Sequence, residues 1–129
     1  WSIFRRNVGP GYTNIGIMGG SVTVIAGEIL GDERLLTYGR RRLERFVAYT
    51  EYQGGFNEYN SPTYTITALH ECERTLQLAE DPIARNCAEK LRRVAWETIC
   101  HHYHPGTSQW SGPHSRAYSD LLRPIPCMT

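Results

Sequence analysis

The sequence predicts an all-α fold made of two consecutive helical hairpins, a piece of a larger toroid or solenoid of such units. Three observations predict it. Four segments repeat apolar residues at three- and four-residue steps, the period of an amphipathic helix. Three of their starts carry capping residues, Asp32, Ser61 and Asp81, and in two cases a proline follows the cap. The tight turns Gly31-Asp32 and Glu80-Asp81 lie about 49 residues apart, and a helix–turn–helix unit repeated at that period marks a repeat architecture. No useful stretch alternates in the way of a half-buried strand.

The first helix, expected near 15–30, rests on Ile15, Met18, Val22, Ile25, Ile29 and Leu30. Gly16, Gly19, Gly20 and Gly27 interrupt it, each costing up to about 1 kcal/mol relative to Ala; close packing against a neighbouring helix accommodates them. The second, near 33–50, follows Gly31 with Asp32 as N-cap and Glu33 in the first turn, where the helix dipole favours an acid. Its apolar side is Leu36, Leu43, Phe46, Val47 and Thr50, backed by the solvated run Arg40-Arg41-Arg42. The third, near 62–79, has Ser61 as cap and Pro62 at the first helical position. Its stripe is Tyr64 or Thr65, then Ala68, Leu69, Cys72, Leu76 and Ala79. The fourth, near 82–102, opens on Asp81 and Pro82 and carries Ala84, Cys87, Ala88, Leu91, Val94, Ala95 and Thr98. Arg85, Glu89, Lys90, Arg92, Arg93 and Glu97 form its solvated side.

The chain thus reads as a single domain: one hairpin at about 13–50, a second at about 62–102 and a C-terminal loop over 103–129. Within each pair the less charged helix is expected inside and the charged one outside. Two hairpins cover each other on one side only. An apolar inner face is therefore expected to stay open, lined by Ile17, Val24, Ile66 and Tyr64 with Leu69 nearer the seam. Further hairpins of the same protein, or a second copy, would cover it.

The 14 basic and 13 acidic residues leave a net charge of +1, which gives no footprint for nucleic acid or an anionic membrane. No apolar run approaches the roughly 20 residues that span a bilayer. The start Trp1-Ser2-Ile3-Phe4-Arg5-Arg6 lacks the apolar run of a signal peptide. Without an initiator Met, the chain is expected to be a processed product or a piece of something longer. Cys72, Cys87, Cys100 and Cys127 show no CxxC spacing, which argues against structural zinc. They read as free buried thiols, with a disulfide between Cys72 and Cys87 across the second hairpin turn as the alternative. The compartment stays open, and neither a cofactor nor a metal is expected.

The topology carries a consequence. The short turns inside the hairpins lie at one end of the stack, so the long connections at 51–61 and 102–119, with the segment before Thr13, share the other. Long loops in a compact repeat are usually functional. The first reads Glu51-Tyr52-Gln53-Gly54-Gly55-Phe56-Asn57-Glu58-Tyr59-Asn60-Ser61-Pro62-Thr63-Tyr64. The second includes His101-His102-Tyr103-His104 and Gln109-Trp110-Ser111-Gly112-Pro113-His114-Ser115-Arg116-Ala117-Tyr118.

The pair GGFNEYNSPTY and WSGPHSRAY, separated by a helical hairpin, resembles α/α-toroid proteins related to polysaccharide lyases and glycoside hydrolases, over about Tyr12 to Tyr118. The resemblance implies a carbohydrate substrate. In lyases of that kind an Asn with His or Arg offsets the uronate carboxylate, and a Tyr or His takes the neighbouring proton. That C–H is too weakly acidic until the charge is offset and the developing enolate is held by fixed donors. Asn60, His114, Arg116 and Tyr64 or Tyr118 are the residues in position for those roles. Tyr59, Trp110 and Asn57 are expected to bind the sugar. A hydrolase instead needs two carboxyl groups, with Glu58 the first and Glu51 or Asp120 the second. Glu58, Asn60, Tyr64, His114 and Arg116 are expected to converge at the rim.

Duller readings stand beside these. Asn60 and Ser61 can make local backbone bonds at a helix start. The 101–104 histidines suit a helix C-terminus, and His114-Ser115-Arg116 can be a loop anchor behind the Gly112-Pro113 turn. The two functional classes are a carbohydrate-active enzyme, by elimination or hydrolysis, and a non-catalytic helical-repeat scaffold that binds a glycan or a protein.

Overall fold

Among the described residues, three of the four helix starts are fixed by the side chains that the sequence offers for them. Asp32 accepts from the N–H groups of Arg34 and Leu35, Ser61 from Tyr64, and Asp81 from Ala84. Each satisfies backbone donors that the first helical turn leaves unpaired. In the computed structural model, which describes residues 9–116, the helices are α1 (Thr13–Leu30), α2 (Glu33–Gln53), α3 (Pro62–Leu78) and α4 (Pro82–His102). Among the described residues the fold is all-α apart from one short two-stranded ladder after α4. Gly31 and Gly54 end α1 and α2 in the left-handed conformation, at φ 62° and 75°, where a side chain is disfavoured.

The two hairpins repeat closely. Their helices start at 13 and 62 and again at 33 and 82, a constant offset of 49 residues. α1 packs on α2 and α3 on α4; between hairpins, α1 lies on α3 and α2 on α4. Phe46, Leu43, Val24, Leu69, Cys72, Leu91 and Ala95 fill the interior.

The glycines decide how α1 sits. A Cβ on Gly16 would meet the Phe46 ring at 2.7 Å, and one on Gly20 would meet Leu43 at 2.7 Å. At Gly27 it would lie 2.6 Å from the Leu36 backbone nitrogen. The glycine side of α1 is therefore the side pressed against α2. Met18, Val22 and Ile29 each follow one of these glycines by two residues, which turns a helix by about 200°. They lie exposed, contrary to the burial their stripe suggests.

Ile17 and Val24 correct a second expectation. They are buried, at 1% and 0% exposure, instead of lining an open face. Ile17, Ser21 and Glu28 follow the spacing of a third side of α1, while Val24 lies against Gly39 of α2. Ser21 Oγ accepts from Thr75 Oγ1 at 2.6 Å, and the Glu28 carboxylate accepts from Glu80 N–H, so this side serves α3 and the second turn. Ile66 and Tyr64 are half-buried. By length and composition α1, with a mean hydropathy of 1.3 over 18 residues, is comparable to a membrane span, closer to one than the sequence reading allowed.

Gly27→Ala has no soft neighbour to push aside, because backbone atoms of Leu36 stand within 2.9 Å of the added carbon. It is expected to destabilise the chain by about 1–3 kcal/mol, the usual range for overpacking. Urea unfolding checks this; an unchanged midpoint would contradict the close approach. Conversely, the Thr65 hydroxyl is buried with no hydrogen-bond partner. Thr65→Val is expected to raise stability by about 1 kcal/mol, since no bond is lost and the desolvation penalty disappears.

Cys72 and Cys87 are buried and free, so the disulfide alternative is not realised. Burial pushes their thiols up to about 12 and about 11, respectively, which makes both poor nucleophiles. Cys100 is exposed and free. After α4, β1 (Tyr103–His104) pairs antiparallel with β2 (Gln109–Trp110), a two-residue ladder the sequence reading did not contain. It folds the last loop back over the rim.

Candidate functional site

The rim is assembled from three segments: one backbone bond joins the loops after α2 and α4, and side chains of Asn57 and Glu58 tie in the start of α1. Ser115 N–H reaches Tyr59 O at 3.2 Å, and Ser111 N–H reaches His102 O at 2.7 Å. The loop after α2 and the loop after α4 therefore run side by side above the start of α1.

Glu58 supplies the cap that α1 lacks. Tyr12 stands at the N-cap position without a side-chain bond, and Glu58 Oε2 accepts from Thr13 N–H at 2.9 Å. A carboxylate there also meets the positive end of the helix dipole. Its other oxygen, Oε1, accepts from Arg116 Nη1 at 2.8 Å. The Arg116 guanidinium carbon lies 5.3 Å from the Tyr64 ring centroid and 5.7 Å from that of Tyr12, within cation–π range of both. Arg116 holds φ 53°, a left-handed conformation that costs free energy and persists only where surroundings enforce it.

Asn60 is the centre of the second group. It is 1% exposed and left-handed at φ 50°, a conformation Asn tolerates better than most residues. Its Oδ1 accepts from the buried Trp110 Nε1–H. Its Nδ2 donates to Ser111 O at 2.8 Å and to Pro113 O at 2.9 Å, beside the cis Gly112–Pro113 bond. Its own carbonyl stands 3.2 Å from His114 Nδ1. A carbonyl can only accept, so Nδ1 carries the proton and the neutral ring keeps its lone pair on Nε2.

The five candidates form two contact groups, Glu58 with Arg116 and Tyr64, and Asn60 with His114. Two expected roles do not fit the geometry. Asn60 has its amide oxygen and nitrogen engaged in the interior, so it holds the loop instead of meeting a substrate. Trp110 is 7% exposed and offers no open face for a sugar. Asn57 is exposed but ties Tyr49 Oη and Gly11 O, at 3.2 Å each, linking α2 to the segment before α1. Tyr118 and Asp120 lie outside the described residues. Of the hydrolase carboxylates, Glu51 pairs with Lys90 at 3.0 Å between α2 and α4.

Sequence reasoning missed Tyr12 and the partner of Tyr59. The Tyr59 hydroxyl lies 3.1 Å from His102 Nε2, and the two rings meet edge to face. No local pattern signals a contact 43 positions apart. His104 bonds Thr107 Oγ1 at 3.1 Å, and His101 is exposed.

Fold and rim together define a double helical hairpin whose loops are locked into one polar surface. The family described as a domain of unknown function, DUF8769, has a model that matches residues 3–124, and the chain belongs to that family. No curated protein and no solved structure matches it.

Proposed function

We propose that the two hairpins form part of the wall of an (α/α) toroid and that the rim takes a polysaccharide, acting on it by lyase-type β-elimination at a uronate. The observation that carries this reading is His114: its Nδ1 is held by the Asn60 carbonyl, its Nε2 is left as a base, and its chain neighbour Arg116 lies against Tyr64. In this reading Arg116 offsets the substrate carboxylate and His114 removes the proton beside it, with the Tyr64 hydroxyl as hydrogen-bond partner. Glu58 and Asn60 are positioning residues, one holding Arg116 and the other His114. Hydrolysis fits less well, because both oxygens of Glu58 are already engaged and a free carboxyl pair is what that chemistry needs. The toroid draws support from the constant 49-residue offset, and the open stripe of α1 suits another hairpin or a second copy. Nucleic acid does not enter this reading, since the charges nearly cancel.

The second reading, a non-catalytic helical-repeat scaffold for a glycan or a protein, is favoured by the same saturation of Glu58 and Asn60. A uronate-containing polysaccharide given to the protein that carries these hairpins separates the readings. Elimination leaves unsaturated, ultraviolet-absorbing ends, and hydrolysis leaves only new reducing ends. His114→Gln and Arg116→Ala are each expected to slow turnover about 100-fold, within the usual range for losing an acid–base group. Their melting curves report whether the rim is intact. Saturated ends, or wild-type rates in both variants, would replace the lyase reading.

A further inference from the structure

Tyr59 and His102 stand apart from the Glu58 and Asn60 groups and have a chemistry of their own. His102 closes α4, and its Nδ1 lies 2.8 Å from the carbonyl of Thr98, one turn earlier. The carbonyl accepts, so Nδ1 carries the proton and Nε2 of the neutral ring has a lone pair. Tyr59 Oη lies 3.1 Å from that Nε2, so the phenol donates to it. The ring centroids are 5.6 Å apart with 86° between the planes. Both residues are held through their backbones, Tyr59 O by Ser115 and His102 O by Ser111. Tyr59 is nevertheless 56% exposed, while His102 is half-buried behind it. A helix-end histidine accounts for the bond to Thr98. It does not account for an exposed phenol seated on the other nitrogen. The order reacting hydroxyl, base, orienting acceptor is the geometry that activates a hydroxyl.

We propose that Tyr59 and His102 form a proton-transfer pair serving the rim. His102 Nε2 takes the phenolic proton, leaving a phenolate beside an imidazolium. The phenolate oxygen then takes a proton from a bound ligand and becomes phenol again, and the imidazolium returns its extra proton to solvent. Tyr59 is thereby an acid–base residue in place of the sugar-stacking surface the sequence suggested. Only the ligand class, a sugar hydroxyl, rests on the carbohydrate reading, in which the C–H beside the uronate carboxylate stays with His114.

The test needs no substrate. The protein is treated with an arylsulfonyl fluoride, which captures activated phenols, and the rate at each tyrosine is followed by peptide mass spectrometry. Tyr52, at 86% exposure, is the internal reference. Tyr59 is expected to react about tenfold faster than Tyr52 or more, and His102→Ala is expected to remove that advantage. His102→Gln keeps an acceptor but not a base, so it is expected to be slow as well. Nitrogen-15 NMR at a pH where the ring is neutral is expected to find His102 as the Nδ1–H tautomer. A Tyr59 rate no higher than that of Tyr52, a fast rate surviving His102→Ala, or an Nε2–H ring each overturns the proposal. Normal labelling with no turnover of any polysaccharide would instead remove the carbohydrate reading and leave the pair standing.

Discussion

Asn60→Ala is expected to cost about 4 kcal/mol of stability and to lower the thermal midpoint by about 15 °C for a chain of this size. The largest part comes from Trp110. Its indole N–H is buried and donates to Asn60 Oδ1, and a buried donor left unpaired costs about 1–3 kcal/mol. The second part is backbone: at φ 50° an alanine meets a steric penalty of about 1 kcal/mol or more that Asn reduces by local hydrogen bonding. The third is the pair of bonds from Nδ2 to Ser111 and Pro113. Those two residues are exposed, so water replaces part of what they lose, and about 1 kcal/mol is the expected share.

The parts are separable. Asn60→Gly removes the amide but relieves the backbone penalty, so it is expected to cost about 1 kcal/mol less than Asn60→Ala. Trp110→Phe removes the donor and leaves Asn60 Oδ1 without its partner. Combined with Asn60→Ala it is expected to cost less than the two single changes added together, the signature of a shared bond. With Trp1 and Trp96 replaced by Phe, a red shift of the remaining tryptophan emission on Asn60→Ala would report Trp110 becoming wet. If the midpoint moves by less than about 3 °C, the Asn60 contacts do not hold the rim, and His114 loses its anchor.

What could be read in advance follows the distance over which each interaction acts. Asp32, Ser61 and Asp81 were legible as caps because a cap involves residues two or three positions away. The gathering of Glu58, Asn60, His114 and Arg116 at one end was legible too, since antiparallel helices with short turns leave their long loops together. The orientation of α1 was not. An apolar count treats glycine as silent, whereas at Gly16, Gly20 and Gly27 the missing side chain is what admits Phe46, Leu43 and the Leu36 backbone. The counted stripe of Met18, Val22 and Ile29 was therefore assigned to the wrong side. The partners within the rim were equally hidden. Glu58 meets Thr13 N–H and Tyr59 meets His102 across distant parts of the chain, and Asn60 meets Trp110 Nε1 because the ladder at 103–110 turns the last loop back. Nothing in the local sequence around Glu58 distinguishes a cap for another hairpin's helix from a catalytic acid.

Acid is expected to loosen the opposite end of the molecule first, through Asp81. Its side chain is 2% exposed and is held by Arg40 Nη2 at 2.6 Å and Nε at 2.7 Å, while it also caps α4 through Ala84 N–H. Burial alone raises the carboxyl, but the Arg40 hydrogen bond, the Ala84 N–H and the guanidinium charge outweigh it and hold the group below its usual value of 3.8. A carboxyl whose value is depressed by folding contributes stability that is fully present above the unfolded value and is lost as pH falls through the folded one. The contribution is therefore expected to be constant above about pH 5 and to shrink below about pH 4. Glu28, from the first hairpin, accepts from Glu80 N–H and Asp81 N–H in the same turn, so loss of Asp81 loosens a junction between hairpins as well as a cap. Asp81→Ala is expected to cost about 2 kcal/mol at neutral pH from the cap alone, with the unpaired Arg40 adding to it. Asp81→Asn keeps the shape and an acceptor but cannot ionise. Urea unfolding of wild type and Asp81→Asn across pH is the measurement, and the gap between them is expected to narrow once the pH falls below about 4. A gap that stays constant over that range would mean that folding does not depress the Asp81 carboxyl, and that Arg40 approaches it without net stabilisation of the charge.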